Sequence, residues 1–250
     1  MDKLVYTAAT GMRAHMASQA AIANNMANAS TIGFRADRTV FDRIDLKGDG
    51  TQFETRRPTS EEVIDADRRV GTVQQTGRPL DIAINGNDDW LAVQAGDGAE
   101  AYTRRGDLMV APSGVLQTGD GFIVQGGSGP ITIPPYDSLS IAADGTISIV
   151  PKGGDPKAPQ QVDKMKLVST KGSTTLKGMD NLLRVRGGGT LPDNMDARVT
   201  AGAVEGSNVN ITETLVDMIE NQRSYEVQAN LLKSAKDMDE GGTSLMRMPS

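Results

Sequence analysis

Cysteine is absent from this 250-residue chain, histidine occurs once, and aromatic side chains make up only 4% of it. The missing thiols exclude a disulfide framework and a thiolate metal site, and they are compatible with an oxidising or extracytoplasmic setting. The single histidine, His15, cannot supply a His-based metal centre alone, and neither HExxH nor GxSxG is present. His15 therefore reads as a solvent-facing or interface residue of a helix. With so few aromatics and a hydrophobic share of 38%, one packed core through the whole chain is not expected. No apolar run approaches the roughly 18 residues of a membrane span. The start Met1-Asp2-Lys3-Leu4-Val5-Tyr6 carries no basic region leading into an apolar stretch, so export would use a route that does not cleave a Sec-type signal. A net charge of −6 gives no footprint for nucleic acid or an acidic membrane surface. Arg68-Arg69 and Arg104-Arg105 are flanked by acids and read as solvated faces. Asp81, Asp88, Asp89, Asp97 and Asp107 do not follow a calcium-loop pattern, and turn chemistry accounts for the Asp-Gly pairs. The reading contains no catalytic residue, metal or cofactor.

What is present lies first at the two ends. From Ile211 the residues Ile211, Leu215, Met218, Gln222, Tyr225, Ala229 and Leu232 recur at steps of four and three, the spacing of a narrow coiled-coil seam. Near the start, Leu4, Ala8, Gly11, Ser18, Ile22 and Met26 form a weaker compatible register. The first helix should stop within Asn28-Ala29-Ser30-Thr31-Ile32-Gly33-Phe34, with Gly33 taking a left-handed turn. The last helix should be capped by Asn210 with Glu213 three residues on, and should end at Gly241-Gly242.

Between the ends the period changes to two. Leu80–Ile84, Trp90–Val93, Phe122–Val124, Ile131–Ile133 and Thr146–Val150 alternate, and Asp97-Gly98, Asp120-Gly121 and Asp144-Gly145 mark hairpins in which both residues tolerate positive φ. The expected architecture is α+β: terminal helices pairing as a coiled coil around a central antiparallel β-sandwich or partly closed barrel. The divisions are residues 1–35 (helix), 36–78 (extended or irregular connector), 79–203 (β domain) and 204–250 (helix).

Four ordered segments give the chain a family likeness. Ala23-Asn24-Asn25-Met26-Ala27-Asn28-Ala29-Ser30-Thr31-Ile32-Gly33-Phe34 resembles the N-terminal signature of bacterial flagellar rod and hook axial proteins. Thr76–Gly86, Ala101–Asp107 and Ser207–Asn210 with Met218–Glu226 match the same family in order. Met1–Tyr6, Gly127–Pro134 and Asp144–Ser148 resemble its proximal-rod branch more than its distal-rod branch. Asn87-Asp88-Asp89-Trp90 departs from the pattern, standing where relatives usually carry glycine and an aromatic. The resemblance implies a non-enzymatic rod subunit in the periplasmic part of the flagellar basal body. Its partners would be copies of itself, neighbouring proximal and distal rod proteins and the flagellar type III export apparatus, without nucleic acid or membrane insertion. Assembly would fall to Leu4, Ala8, Gly11, Ile22, Met26, Ile211, Leu215, Met218, Tyr225, Ala229 and Leu232, with Asn24, Asn25, Asn28, Gly33 and Phe34 forming the N-terminal motif. A distal-rod subunit, or a secreted oligomeric binding module with coiled-coil ends, are the alternative readings.

Overall fold

The computed structural model describes residues 2–43 and 59–246. It is α+β, mostly sheet, with helix α1 at Asp2–Ala27 and helix α2 at Ile211–Met246. The chain divides into two compact units, one of residues 1–27, 37–64 and 210–250, the other of residues 28–36 and 65–209.

In the first unit α1 runs without proline and with one interior glycine, Gly11. At the head of α2, Asn210 Oδ1 accepts from the backbone N–H of Thr212 at 3.0 Å and of Glu213 at 3.4 Å, satisfying two otherwise orphaned donors. The expected stop at Gly241-Gly242 is overturned, because the helix continues to Met246. Neither glycine adopts the positive φ of a helix-ending cap. Thr243-Ser244-Leu245-Met246 contains no breaker, so the cost of about 1 kcal/mol per glycine does not end the helix. The connector expected to be extended or irregular contains strands at Asp37–Arg43 and Thr59–Ala66, paired as a two-stranded sheet, and at Val73–Gln75. Its residues 44–58, with Phe53 and Pro58, lie outside the described residues.

The second unit is built on a nine-stranded antiparallel sheet, accompanied by a three-stranded sheet and two-stranded pairs. No closed barrel forms among the described residues. Strand Asp89–Gln94 pairs with Glu100–Thr103 on one edge, and with Ile123–Gly126 and Leu167–Ser169 on the other. Period-two alternation here does not separate core from solvent. Leu91 and Val93 enter a large cluster with Ile82, Val124 and Leu167, whereas Trp90 and Ala92 enter a second with Tyr102, Val168 and Leu183. Alternate side chains thus point into two different cores, and burying each large one contributes roughly 1.5–3 kcal/mol. Ile131–Ile133 is not a strand; its pairing reduces to a bridge between Val115 and Thr132.

The hairpins share one turn design. In Ala95–Ala99 the N–H of Gly98 donates to Ala95 O at 2.9 Å, and Ala95 N–H donates to Ala99 O at 2.9 Å. Gly98 has φ +82°, and the equivalent glycines Gly121 and Gly145 have +87° and +84°. The expectation of positive φ at both Asp and Gly is corrected. Only the glycine is left-handed, as in a three-residue loop that ends on a left-handed bulge, while Asp97 Oδ1 accepts from Ala99 N–H at 3.0 Å. The turn Gly178–Leu182 repeats the pattern with Asn181 at φ 62° in the glycine's place.

Candidate functional site

Two groupings of polar residues stand out, one in each unit. In the β unit the centre is Glu205, on the short strand Ala203–Glu205. Its side chain is 1% exposed and lies between two arginines that are themselves 2% (Arg35) and 0% (Arg104) exposed. Arg35 Nη2 is 2.6 Å from Glu205 Oε1, and Arg104 Nη2 is 2.5 Å from Oε2. Arg104 Nε adds a bond of 2.9 Å to Oε2, and Gly71 N–H donates to Oε1 at 2.7 Å. The remaining Arg104 donors reach the carbonyls of Ile84 (2.7 Å), Gly86 (2.8 Å) and Asp89 (2.5 Å). Arg35 Nη1 donates to Arg69 O. Both guanidinium carbons lie 5.9 Å from the centroid of the Trp90 ring.

Such a buried carboxylate with two cations is held because each charge is paired. The Arg104 donors are all hydrogen-bonded, whereas Arg35 has one side-chain hydrogen bond and leaves its buried Nε without a partner. Burial lowers the Arg35 guanidinium to about 10, against the opposing pull of Glu205, so it remains charged at neutral pH. Arg104 was expected on a solvated face from its flanking acids and is instead the most deeply buried charge of the unit, its desolvation offset by a carboxylate 101 residues away. Arg105 conforms better, reaching Asp107 and Asp120, both at 2.7 Å, at the surface.

The clamp draws in the residues that follow α1 and precede α2 in sequence. Gly33 N–H donates to Glu205 O at 2.7 Å, and Gly33 has φ +68° as expected. A Cβ there would lie 2.4 Å from Arg105 N and 2.5 Å from Arg104 C, so glycine is required by space as well as by φ. Phe34 is 3% exposed, with Lys177 Nζ 3.7 Å from its ring centroid and bonded to Arg35 O at 2.6 Å. Asn208 spans the same junction: its Oδ1 accepts from Ala36 N–H at 2.8 Å, and its Nδ2 donates to Asp67 O at 3.1 Å and Arg69 O at 2.9 Å. The departing segment Asn87–Trp90 supplies Asp88 to Arg68 at 3.3 Å and Asp89 to Asn194 at 2.9 Å.

In the helical unit, the asparagines of the N-terminal motif divide their tasks. Asn25 mimics a strand partner for Asp37, accepting its N–H at 2.6 Å and donating to its carbonyl at 3.0 Å. Asn24 donates to the Asp37 carboxylate at 2.5 Å. Asn28, in the β unit, accepts from Thr31 through its carbonyl and its side chain, each at 3.1 Å.

Along α2 the sheltered positions among the described residues are Thr214, Met218, Asn221, Tyr225, Gln228, Ala229, Leu232 and Ala235. Among the residues singled out in the sequence, Met218, Tyr225, Ala229 and Leu232 are half-buried, whereas Ile211 and Leu215 are 56% and 45% exposed. On α1, Ala8, Gly11, Ile22 and Met26 are half-buried; the side chain of Leu4 lies outside the described residues. Facing α1 are Asn221, bonded to Gln19 at 2.8 Å, and Gln228, against which a Cβ on Gly11 would press at 2.5 Å. Heptad counting found the period and the positions of Met218, Tyr225 and Leu232, but set the alternate positions one residue late at Gln222 and Ala229, because the polar Asn221 and Gln228 occupy facing positions that apolar counting passes over. At 100° per residue, Val216, Ile219 and Val227 fall on the opposite side, with Leu231 and Met238 on one flank and Ile211 and Leu215 on the other, all 45–61% exposed.

An all-β unit with a buried ionic clamp, together with long helices carrying an uncovered apolar side, is the make-up of a protein with surface left to cover. Residues 200–245 match the family described as flagellar basal body rod FlgEFG protein C-terminal, and residues 83–149 match the flagellar hook protein FlgE/F/G D1 domain. The flagellar basal-body rod protein FlgF of Salmonella typhimurium (strain LT2) is 38% identical, covering 99% of this chain and 100% of the relative. That of Escherichia coli (strain K12) is 37% identical over the same shares. The rod protein FlgG of Buchnera aphidicola subsp. Acyrthosiphon pisum is 32% identical, covering 92% and 94%. The chain belongs to the flagellar basal-body rod protein family, as a FlgF-like structural subunit and not an enzyme.

Proposed function

We propose that this subunit occupies the proximal part of the periplasmic rod and assembles helically through its terminal helices into a torque-transmitting shaft. Its partners are copies of itself and the neighbouring proximal and distal rod proteins, and it reaches them through the flagellar type III export apparatus. The observation that carries this reading is the far side of α2. Over 36 residues, about 54 Å of helix, exposed Val216, Ile219 and Val227 lie away from α1, with Leu231 and Met238 on one flank and Ile211 and Leu215 on the other. An apolar side on both flanks of one helix needs more partners than a single antiparallel neighbour provides. In this reading α1 and α2 pair as a coiled coil, and adjacent subunits cover the remaining side. Full-length likeness to FlgF relatives supports the proximal over the distal position.

Quantitative mass spectrometry of purified hook–basal bodies tests the assignment. A few copies per basal body, far below the hook protein, are expected. Absence from intact basal bodies, with a stable oligomer of the purified chain, would instead favour a secreted binding module.

A further inference from the structure

A polar cluster lies within the helix pair. Asn221 Nδ2 donates to Gln19 Oε1 at 2.8 Å and to the carbonyl of His15 at 2.9 Å. Its Oδ1 stands 2.7 Å from His15 Nδ1, which places the donated proton on that nitrogen. All three residues are half-buried. We propose that Asn221, held by His15 and Gln19, sets the register of α1 against α2, acting as a determinant of specificity. The proposal rests on the two helices pairing in the assembled rod.

The helices run antiparallel, since Gly11 opposes Gln228 while His15 and Gln19 oppose Asn221. The α1 surface is rich in alanine, so apolar packing alone discriminates weakly between registers seven residues apart. The amides discriminate sharply. A slip of one heptad in one direction sets Asn221 against Ala8 and Met12, and in the other against Ile22 and Met26. None of the four offers the amide an equivalent partner. Leaving this half-buried amide without its protein partners disfavours a register by roughly 2- to 10-fold for each hydrogen bond lost. The same slips move Gln228 from Gly11 to Leu4 or Ser18, each of which carries the Cβ that Gly11 lacks. A lone polar residue at a helix interface is an established way to fix register at some expense in stability.

The test exploits the absence of cysteine. Cysteine pairs are introduced as Gly11→Cys with Gln228→Cys (native register), and as Leu4→Cys or Ser18→Cys with Gln228→Cys (registers slipped by about 10 Å). A short bifunctional thiol reagent is then applied to basal bodies isolated from cells making each full-length variant. In the parent chain only the 11/228 pair should cross-link. In an Asn221→Leu background the slipped pairs should cross-link several-fold more, roughly 2- to 10-fold. The open cleft of about 360 Å³ between His15, Met16, Gln19, Gln222 and Tyr225 gives leucine room without overpacking. His15→Leu combined with Gln19→Leu should release the register in the same way. Cross-linking confined to 11/228 in both backgrounds would overturn the proposal while leaving the helix pair intact. No product at any pair in the parent would overturn the pairing itself, and the register role with it.

Discussion

Glu205 shows how much one residue can decide. Its carboxylate neutralises two guanidiniums that have no other carboxylate within bonding distance among the described residues. Glu205→Gln should therefore leave Arg35 and Arg104 buried with uncompensated charge, at a cost of about 3–5 kcal/mol. Urea unfolding followed at Trp90 reads this directly, and a shift under 1 kcal/mol would mean that the clamp is not closed in solution. Gly33→Val should also be costly: the valine meets backbone atoms at 2.4–2.5 Å, and φ +68° disfavours a β-branched side chain. Loss of motility and a lowered melting temperature are expected together; normal swimming would contradict the fit. Gly33 was legible in the sequence, because a glycine after an amide-rich helix end signals a turn. Glu205 was not, since nothing local marks an acid whose partners lie 101 and 170 residues upstream.

At the scale of elements, the hairpin turns are set by short-range chemistry and titrate accordingly. Hydrogen bonds from Arg184 hold the Asp180 carboxyl below its ordinary 3.8, and those from Thr146 do the same for Asp144. A depressed acid contributes stability above its unfolded value and loses it as pH falls through the folded one. The melting temperature of the β unit should therefore be flat above about pH 5 and decline below about pH 4. Asp180→Asn should make that decline shallower, and an identical acid limb in the variant would remove Asp180 from the account. The hairpins were readable because glycine at a turn declares itself. The central strand Asp89–Gln94 was readable as a strand but not as doubly buried, since alternation looks the same whether the second face meets water or another core.

For the whole molecule, the clamp redraws the limits of the folded β unit. A fragment of residues 36–203 lacks Arg35, Phe34 and Glu205, and should unfold at a markedly lower temperature than one of residues 28–209. Limited proteolysis followed by mass spectrometry should yield a resistant fragment that keeps Gly33 and Asn208; a resistant core beginning after Arg35 would refute this boundary. Leu215→Asp acts at a different level. Leu215 is 45% exposed, so the charge should leave the β unit's melting unchanged, yet exclude the subunit from rods by placing an unpaired charge in an assembled interface. Normal incorporation of that variant would show that this side of α2 stays in water.

The sequence by itself determined the α+β order, the two long helices, the hairpin positions and the family, because each rests on periodicity, turn chemistry or an ordered motif within a short span of chain. Tertiary structure alone decided that Arg104 is interior, that Asn221 rather than Gln222 faces α1, and that α2 runs through Gly241-Gly242. The physical reason is common to the first two: whether a charge or amide is buried depends on whether a partner meets it there. That partner comes from a distant part of the chain. The third differs: a glycine costs a helix only about 1 kcal/mol, which leaves both outcomes open to a reading of the sequence, and the structure keeps Gly241 and Gly242 helical.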